Sequence, residues 1–212
     1  EKRFLAQTLS HPLHIERVVS AFYSDLTRDF VSCGETHDFW EFVYVDRGHL
    51  HVETSRRTYP LAQGQITFHP PMEYHRHIAS PEYATSLCIV SFHCSSSVLA
   101  PLAHRTLTLD DVRRRALSQA LKYATDLFSS VVDAHDLLYL VKKADVNGIQ
   151  EQLFTNALES FLLLCALEAG GRPLSQQPAS ATARSRTEQL GQRAVDYLAA
   201  HLMDPLSIPE LC

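Results

Sequence analysis

The sequence predicts an α+β protein, in which an antiparallel β-sandwich or barrel comes first and helices follow. Short segments rich in aromatic and β-branched residues lie between positions 39 and 94, with turn residues between them. After Pro101 the apolar residues recur at three- and four-residue steps, which is the spacing of a helix face. Of the 212 residues, 45% are hydrophobic and 20% are charged, so the chain can bury a sizeable core.

The predicted strands span residues 39–45, 49–54, 58–61, 66–68 and 85–94. The first strand carries the run Phe-Trp-Glu-Phe-Val-Tyr-Val and ends at a turn that contains Gly48. Gly64 and the pair Pro70-Pro71 interrupt the later strands. Short strands at close spacing with turns between them are typical of a sandwich or barrel.

Two helices are predicted after the strands, over residues 110–128 and 149–169. The second has a broad apolar face, which must be buried either in its own domain or against a partner subunit. Residues 172–187 have the Ser-, Pro- and Gln-rich composition of a linker. A further helix is predicted over 188–201, and Ser207 and Glu210 have the spacing of a capping box. Because that last helix would begin where the sequence ends, we interpret the chain as a fragment of a longer protein.

Composition and charge exclude several classes of protein. The net charge is −5, whereas chains that bind nucleic acid on their own are usually basic. The sequence contains no run of eighteen apolar residues, which a transmembrane helix would need. We therefore expect a cytoplasmic protein with no membrane partner. Five cysteines without a C-x-x-C pair argue against a disulfide framework or a zinc finger. Neither a Ser-His-Asp arrangement nor a phosphate-binding glycine loop is present, and we expect no enzyme activity.

The candidate binding site consists of polar residues that share strand faces. His37, Phe39, Glu41 and Val43 lie two residues apart and therefore project from one face of an extended segment. If that face points into the barrel, these four residues and His75 are the candidate ligand-binding residues. His37, Glu41 and His75 could together hold a divalent transition metal, because imidazole and carboxylate ligands suit such ions. The alternative is a polar cluster that forms hydrogen bonds within the barrel or to an organic ligand.

Other polar and aromatic residues have structural interpretations. Trp40 and Tyr44 lie on the opposite strand face and are expected to pack against the helices. His69 and His77, like His49 and His93, are expected to be surface histidines or histidines with satisfied hydrogen bonds. The run 113–115 of three arginines predicts a solvated helix face rather than a phosphate contact.

Two spacings resemble the motifs of the cupin family, which consists of small antiparallel β-barrels. His37-x3-Glu41-x6-Gly48 is similar to the first cupin motif, and Gly64-x5-Pro70-x4-His75 is similar to the second. The chain departs from the family pattern twice. Glu35 stands where the first motif usually has a histidine, and Met72 stands where the second usually has a glycine.

A narrower resemblance covers most of residues 30–212. The segments HDFWEFVYVDRG, YPLAQGQITFHPPMEYHRH and IVSFHC look like the N-terminal sensor domain of AraC-type transcriptional regulators. The segment LGQRAVDYLAAHLMDPLSIPELC is similar to the opening of that family's helix-turn-helix DNA-binding domain. The segment GIQEQLFTNALESFLLLC stands where the family has its dimerisation helix, which implies dimer contacts at Leu153, Leu158, Phe161 and Leu162.

The resemblance implies a domain order and a function. A cupin-like effector-binding barrel is expected over 1–100, a helical dimerisation region over 101–171, a linker over 172–187 and a truncated helix-turn-helix domain over 188–212. The implied protein is a ligand-responsive homodimeric regulator, with a small-molecule effector and, in the full-length protein, promoter DNA as partners. No cofactor is certain, but a divalent metal is possible at the candidate site. The alternatives are a metal-dependent cupin enzyme, such as a dioxygenase or isomerase, and a stand-alone sugar-binding cupin.

Overall fold

The fold is described by a computed structural model that covers residues 5–82, 84–132 and 138–170. The strands, in chain order, are β1 (Arg17–Leu26), β2 (Trp40–Arg47), β3 (His49–Thr54), β4 (Thr58–Ala62), β5 (Gln65–His69), β6 (His75–Ala79), β7 (Thr85–His93), β8 (Thr106–Thr108), β9 (Phe128–Val132) and β10 (Leu138–Lys142). The α-helices are α1 (Asp111–Leu127) and α2 (Gly148–Ala169), and a 3-10 helix spans Ser97–Leu102.

Antiparallel strands form two principal sheets. The larger sheet has the strand order β1-β7-β2-β5-β8, and the smaller has the order β4-β3-β6. Inward-facing side chains of both sheets meet in an inner apolar cluster, which consists of Val43, Val45, Leu50, Val52, Leu61 and Leu87. Two sheets closed around such a cluster make the barrel-like architecture that the strand spacing predicts, and the helices follow it. The α+β class with an N-terminal antiparallel barrel is therefore confirmed.

The turn between β2 and β3 depends on a glycine. Gly48 has a φ of 75°, in the left-handed region that other residues rarely adopt. A Cβ built at this position would lie 2.4 Å from the backbone oxygen of Ala84. The turn therefore requires glycine both for its conformation and for the close approach of the chain before β7.

The outer face of the larger sheet packs against the helices. Trp40, Phe42 and Tyr44 of β2 belong to the same apolar cluster as Phe154 and Phe161 of α2. The rings of Phe42 and Phe161 have centroids 5.4 Å apart. Because side chains alternate along a strand, Glu41 and Val43 point the other way, into the barrel. The prediction that Trp40 and Tyr44 pack on the helices is confirmed.

Helix α2, with 22 residues, is the longest described element. Asn147 caps it, since its side chain accepts hydrogen bonds from the N–H groups of Ile149 and Gln150, and the Gln150 side chain accepts one from the Asn147 N–H. Gly170 follows its last residue. The helix predicted over 149–169 is confirmed, as is the helix predicted over 110–128.

Three of the four predicted dimer contacts are buried within their own chain. Leu158, Phe161 and Leu162 are at most 1% exposed and pack in its apolar core. Leu153 is 43% exposed and Ile149 is 74% exposed. A contact between two copies through α2 stays a prediction, and this exposed part of the helix is the surface available to it.

Arg113 also differs from the prediction of a solvated helix face. Its side chain is buried, and its guanidinium forms ion pairs of 2.8 Å with Asp110 and with Glu168 of α2. Its Nε donates to the carbonyl oxygen of Leu164. Arg113 thus ties the two helices together, whereas Arg115 is exposed as expected.

Several elements were not predicted from the sequence. These are β1, β6, the three-residue β8 and the antiparallel pair β9–β10, and the last three strands fall in the region 101–171 that was predicted as helical. The described residues belong to one compact unit, and the boundary drawn at residue 100 stays a prediction. The predicted linker over 172–187, the helix over 188–201 and the Ser207–Glu210 capping box lie outside the described residues. Within the described part, no helix is long and apolar enough to cross a membrane.

Candidate functional site

Four ionisable side chains meet at one place on the inner side of the barrel. Glu35, His37, Glu41 and His75 each offer one nitrogen or oxygen atom, and these four atoms lie within 4.8 Å of one another. His75 Nε2 is 3.3 Å from Glu41 Oε1 and 3.6 Å from Glu35 Oε1. His37 Nε2 is 3.7 Å from Glu41 Oε2. We call these four residues the inner cluster.

Different elements bring the four residues together. Glu41 projects inward from β2, and His75 is the first residue of β6. Glu35 reaches His75 through an isolated antiparallel bridge, in which each N–H donates to the other residue's carbonyl oxygen. His37 lies in the loop before β2, and its ring stacks on that of Phe39 with centroids 3.8 Å apart. The sequence therefore predicted the meeting of His37, Glu41 and His75, although His37 arrives from a loop rather than from the strand.

The hydrogen bonds of the two histidines orient their rings. His37 Nδ1 lies 3.0 Å from the carbonyl oxygen of Phe39, and His75 Nδ1 lies 3.1 Å from that of Glu73. A carbonyl oxygen only accepts, so each Nδ1 carries a proton and donates it. The Nε2 atom of each ring is left to face the inner cluster, which is how metal-binding histidines are commonly held.

The inner cluster contains buried polar atoms without hydrogen bonds. His37 Nε2, His75 Nε2 and Glu41 Oε1 are all inaccessible to solvent and have no hydrogen-bond partner. Buried polar atoms are rarely left unpaired, because each one loses its hydration without compensation. Two imidazoles and two carboxylates, oriented by backbone carbonyls, form a donor set that fits a divalent transition metal. The residues present therefore fit such an ion.

The electrostatics of the inner cluster favour a bound cation. Burial alone would lower the pKa of His75, but the carboxylates of Glu35 and Glu41 raise it to about 10. Burial raises the pKa of Glu41. The charge of His75 at 3.3 Å and the hydrogen bond from the Ser91 hydroxyl outweigh this effect and bring the pKa of Glu41 down to about 2. At neutral pH the two carboxylates are ionised and His75 holds a proton between them. A metal ion or an organic cation would replace that proton.

Comparison with known protein families identifies this domain. The family model described as the AraC-like ligand binding domain matches residues 22–134, which is more than half of the chain. The chain belongs to this family. The matched residues include all four members of the inner cluster, so the cluster lies inside the AraC-like ligand-binding domain. No curated protein sequence matches the chain.

Solved structures show only distant similarity to the AraC-like chain. Apo ToxT K231A from Vibrio cholerae aligns over 93% of this chain and 70% of its own, with 7% identity and a TM-score of 0.48. The cupin domain of Cnp3 from Schizosaccharomyces pombe aligns over 38% of this chain and 58% of its own, with 10% identity and a TM-score of 0.34. The SPY1581 protein of unknown function from Streptococcus pyogenes aligns over 37% of this chain and 67% of its own, with 17% identity and a TM-score of 0.34. The family assignment depends on the family match and not on these similarities.

Two further histidines of the AraC-like domain lie beside the inner cluster. The His69 ring stacks on that of His75 with centroids 4.1 Å apart, and the His77 ring lies 5.4 Å from the His75 ring. Both side chains are buried, and their Nε2 atoms have no hydrogen-bond partner. Burial lowers the pKa of His69, and it lowers that of His77 to about 3, so both rings are neutral at pH 7. The prediction that these two histidines are exposed or satisfied is therefore corrected.

A buried carboxylate connects the His69 ring to the surface. Glu73 Oε2 lies 2.8 Å from His69 Nδ1, and Glu73 Oε1 lies 2.6 Å from His104 Nδ1. Hydrogen bonds from both histidines bring the pKa of Glu73 below its usual value, although burial alone raises it. Glu73 thus fixes the orientation of the ring that stacks on His75.

Phe39 and Val43 occupy different places relative to the inner cluster. Phe39 is half-buried and stacks on His37, which puts it at the edge of the site. Val43 is fully buried in the inner apolar cluster, two residues after Glu41 on the same strand face. Their contact with a ligand stays a prediction.

The sequence contained signals for the residues that were missed. Glu35 stands at the position of a usual cupin histidine, and a carboxylate there keeps a metal-binding oxygen. His77 shares a strand face with His75. On β5, Ile66 and Phe68 are apolar and face the helices, so His69 must face inward with Thr67.

Proposed function

We propose that this chain is the effector-binding part of a ligand-responsive transcription regulator of the AraC type. We propose further that the inner cluster is the place where a metal ion or a polar effector binds. The observation that carries this proposal is the set of buried, unpaired atoms on His37, His75 and Glu41, inside a domain whose family binds ligands. A ligand at this place would give each of those atoms a partner.

The chemistry of the inner cluster selects the class of ligand. Glu35 and Glu41 favour a cation or a hydrogen-bond donor, and the Nε2 atoms of His37 and His75 are ligands for a metal when unprotonated. Phe39 at the edge of the site offers an aromatic surface to a carbon skeleton. The ligand is therefore either a divalent transition metal or a small hydroxylated or amine-bearing molecule, with Val43 beneath Glu41 on the same strand face.

Regulation requires partners besides the effector. We propose that the full-length protein binds promoter DNA through the helix-turn-helix domain whose opening the sequence 188–212 resembles. We also propose a homodimer that uses the exposed apolar residues Ile149 and Leu153 of α2. Effector binding in the barrel would then change how the dimer presents its DNA-binding domains.

The second candidate function is a metal-dependent cupin enzyme, such as a dioxygenase or an isomerase. The observation in its favour is that two imidazoles and two carboxylates surround a single point, which is a donor set also found in metal enzymes. Activity would need an open coordination position and a bound metal, whereas a sensor needs only the binding event.

Elemental analysis of the purified, tag-free chain tests the site directly. We expect about one transition metal ion per chain, lost in His75→Ala and retained in His51→Ala, since His51 is an exposed histidine on β3. If no metal is found, we expect a sugar or metabolite from a binding screen to bind the unchanged chain and to fail with Glu41→Gln. If neither a metal nor a small molecule binds at this cluster, the proposal is wrong.

The regulatory role is tested with a longer chain that includes the complete DNA-binding domain. We expect its affinity for a DNA fragment upstream of its own gene to change several-fold when the bound ligand is added. Glu41→Gln should abolish this response without abolishing DNA binding. A protein that turns over a substrate at the metal and binds no DNA would support the enzyme instead.

A further inference from the structure

A cavity of about 570 Å³ opens at the surface between the edges of the two sheets. Strand β4 is an edge of the smaller sheet and β8 is an edge of the larger one. The cavity is lined by Arg56, Arg57, Tyr59, Arg105 and Thr106, among others. We call this cavity the arginine groove. Its volume is in the range of sites that hold small organic molecules.

The arginine groove carries positive charge that no acidic side chain neutralises. Arg56, Arg57 and Arg105 are exposed, and no carboxylate of the described residues forms an ion pair with any of them. None of the described residues that line the cavity is acidic. Arg76 and Arg113, by contrast, are paired with carboxylates. Three unpaired guanidinium groups around one cavity create a positive potential that attracts anions.

Neighbouring groups hold part of the groove in place. Arg57 Nη2 donates to the carbonyl oxygen of His104, and its guanidinium lies 4.5 Å from the centre of the Tyr59 ring. Tyr59 is anchored in turn, since its hydroxyl lies 2.8 Å from Thr67 Oγ1. Because Arg57 is already held in one position, binding a ligand would cost less side-chain conformational entropy.

We propose that the arginine groove is a second ligand site, which binds a small organic phosphate. The planar guanidinium offers paired N–H donors that match the oxygens of a phosphate group. Tyr59 and the neighbouring Pro60 provide apolar surface for the carbon skeleton of such a ligand.

This second site is chemically distinct from the inner cluster. The inner cluster contains two ionised carboxylates, Glu35 and Glu41, which repel an anion and attract a cation. The arginine groove contains three arginines and attracts an anion. One ligand type therefore cannot satisfy both sites through the same group, and a phosphate effect would be additional to the effector proposed above.

Calorimetric titration of the chain with glycerol 3-phosphate, ribose 5-phosphate and AMP tests the proposal, with glycerol as the uncharged control. We expect at least one phosphate to bind with a Kd below about 1 mM and glycerol not to bind. Arg57→Gln and Arg105→Gln should each weaken binding about tenfold, because a charged hydrogen bond is lost. Arg115→Gln, which changes an exposed arginine on α1, should leave the Kd within about twofold.

His75→Ala separates this site from the inner cluster, since it should leave phosphate binding unchanged. Absence of binding by all three phosphates overturns the proposal. Equal weakening by Arg115→Gln overturns it as well, because binding would then reflect only the general charge of the surface. If a short DNA duplex binds through Arg57 and Arg105 while the small phosphates do not, the groove is a nucleic-acid surface and the proposal is wrong.

Discussion

Truncation of Phe161 to alanine tests whether α2 belongs to the core of the chain or to an interface between chains. The Phe161 side chain is fully buried, and its ring packs at 5.4 Å from that of Phe42. Phe42 in turn contacts the rings of Phe68 and Phe92, with centroids 5.9 and 6.4 Å away. Phe161 is therefore the aromatic residue that joins the helix to the outer face of the larger sheet.

The expected cost follows from the buried area. A buried phenylalanine removes about 150–200 Å² of surface from water, which at about 25 cal/mol per Å² is worth roughly 4 kcal/mol. Alanine retains little of this, and a cavity stays where the ring was, so Phe161→Ala should lower the free energy of unfolding by about 3–5 kcal/mol. Leu153→Ala, at a residue that is 43% exposed, should lower it by less than about 1 kcal/mol.

Urea denaturation monitored by tryptophan fluorescence measures both variants. Trp40 is the single tryptophan of the chain and lies in the same apolar cluster as Phe161, so its emission reports on the loss of this packing. Repeating the titration at several protein concentrations separates the stability of one chain from that of a dimer. Sedimentation of the folded variants should show a weaker dimer for Leu153→Ala. The reasoning fails if Phe161→Ala dissociates a dimer and costs the separate chain less than about 1 kcal/mol.

Three further predictions concern ionisable groups. The association constant for Co²⁺ should rise about tenfold per pH unit between roughly pH 6 and 8. The reason is that the ion must displace one proton from His75, whose pKa is about 10. A constant affinity over this range would contradict the assignment of His75 as a ligand. His77 has a folded pKa of about 3 against 6.5 for an ordinary histidine, so it contributes stability above pH 6.5 that is lost as the pH falls, at up to about 1.4 kcal/mol per pH unit. Thermal denaturation should therefore show a smaller loss of stability from pH 6.5 to 5 in His77→Leu than in the original protein. The control His51→Leu should match the original. If stability falls equally with pH in all three proteins, His77 is not buried as a neutral ring. Arg113→Ala should lower the free energy of unfolding in urea by about 1–3 kcal/mol, because it removes a buried guanidinium that pairs with two partly exposed carboxylates. Arg115→Ala should change it by less than about 0.5 kcal/mol. Similar effects of the two substitutions would show that the ion pairs of Arg113 do not stabilise the fold.

The elements that the sequence predicted have strong local patterns. Successive residues of β2 face the helices and the barrel interior in turn, and β3 begins with alternating exposed and buried residues. A glycine marks the turn between the two strands. Helix α2 has both a regular apolar spacing and a capping box at its start. Strands β1 and β8 lack such signals. They lie at the two edges of the larger sheet, where a strand pairs on one side only and is less completely buried.

The inner cluster shows the same division. Strand periodicity and motif spacing predicted that His37, Glu41 and His75 meet, because those signals depend on residues near one another in the chain. Glu35 shares the alternation of His37 and stands at the position of a cupin histidine, but its approach to His75 depends on a bridge between two segments forty residues apart, which no local pattern describes. The unpaired atoms of the cluster likewise become visible only when every neighbour is in place.

The sequence by itself determined strands β2 to β5 and β7, the two helices that follow them, the inward face of β2 and the family resemblance. Only the tertiary structure decided which face of α2 is covered, since an apolar helix face looks the same whether a sheet or a second chain buries it. The same holds for Arg113 and for His77, because the charge and exposure of a side chain depend on what packs over it. Hydrophobic periodicity predicts that a helix face is buried, but long-range packing determines which part of the protein covers it.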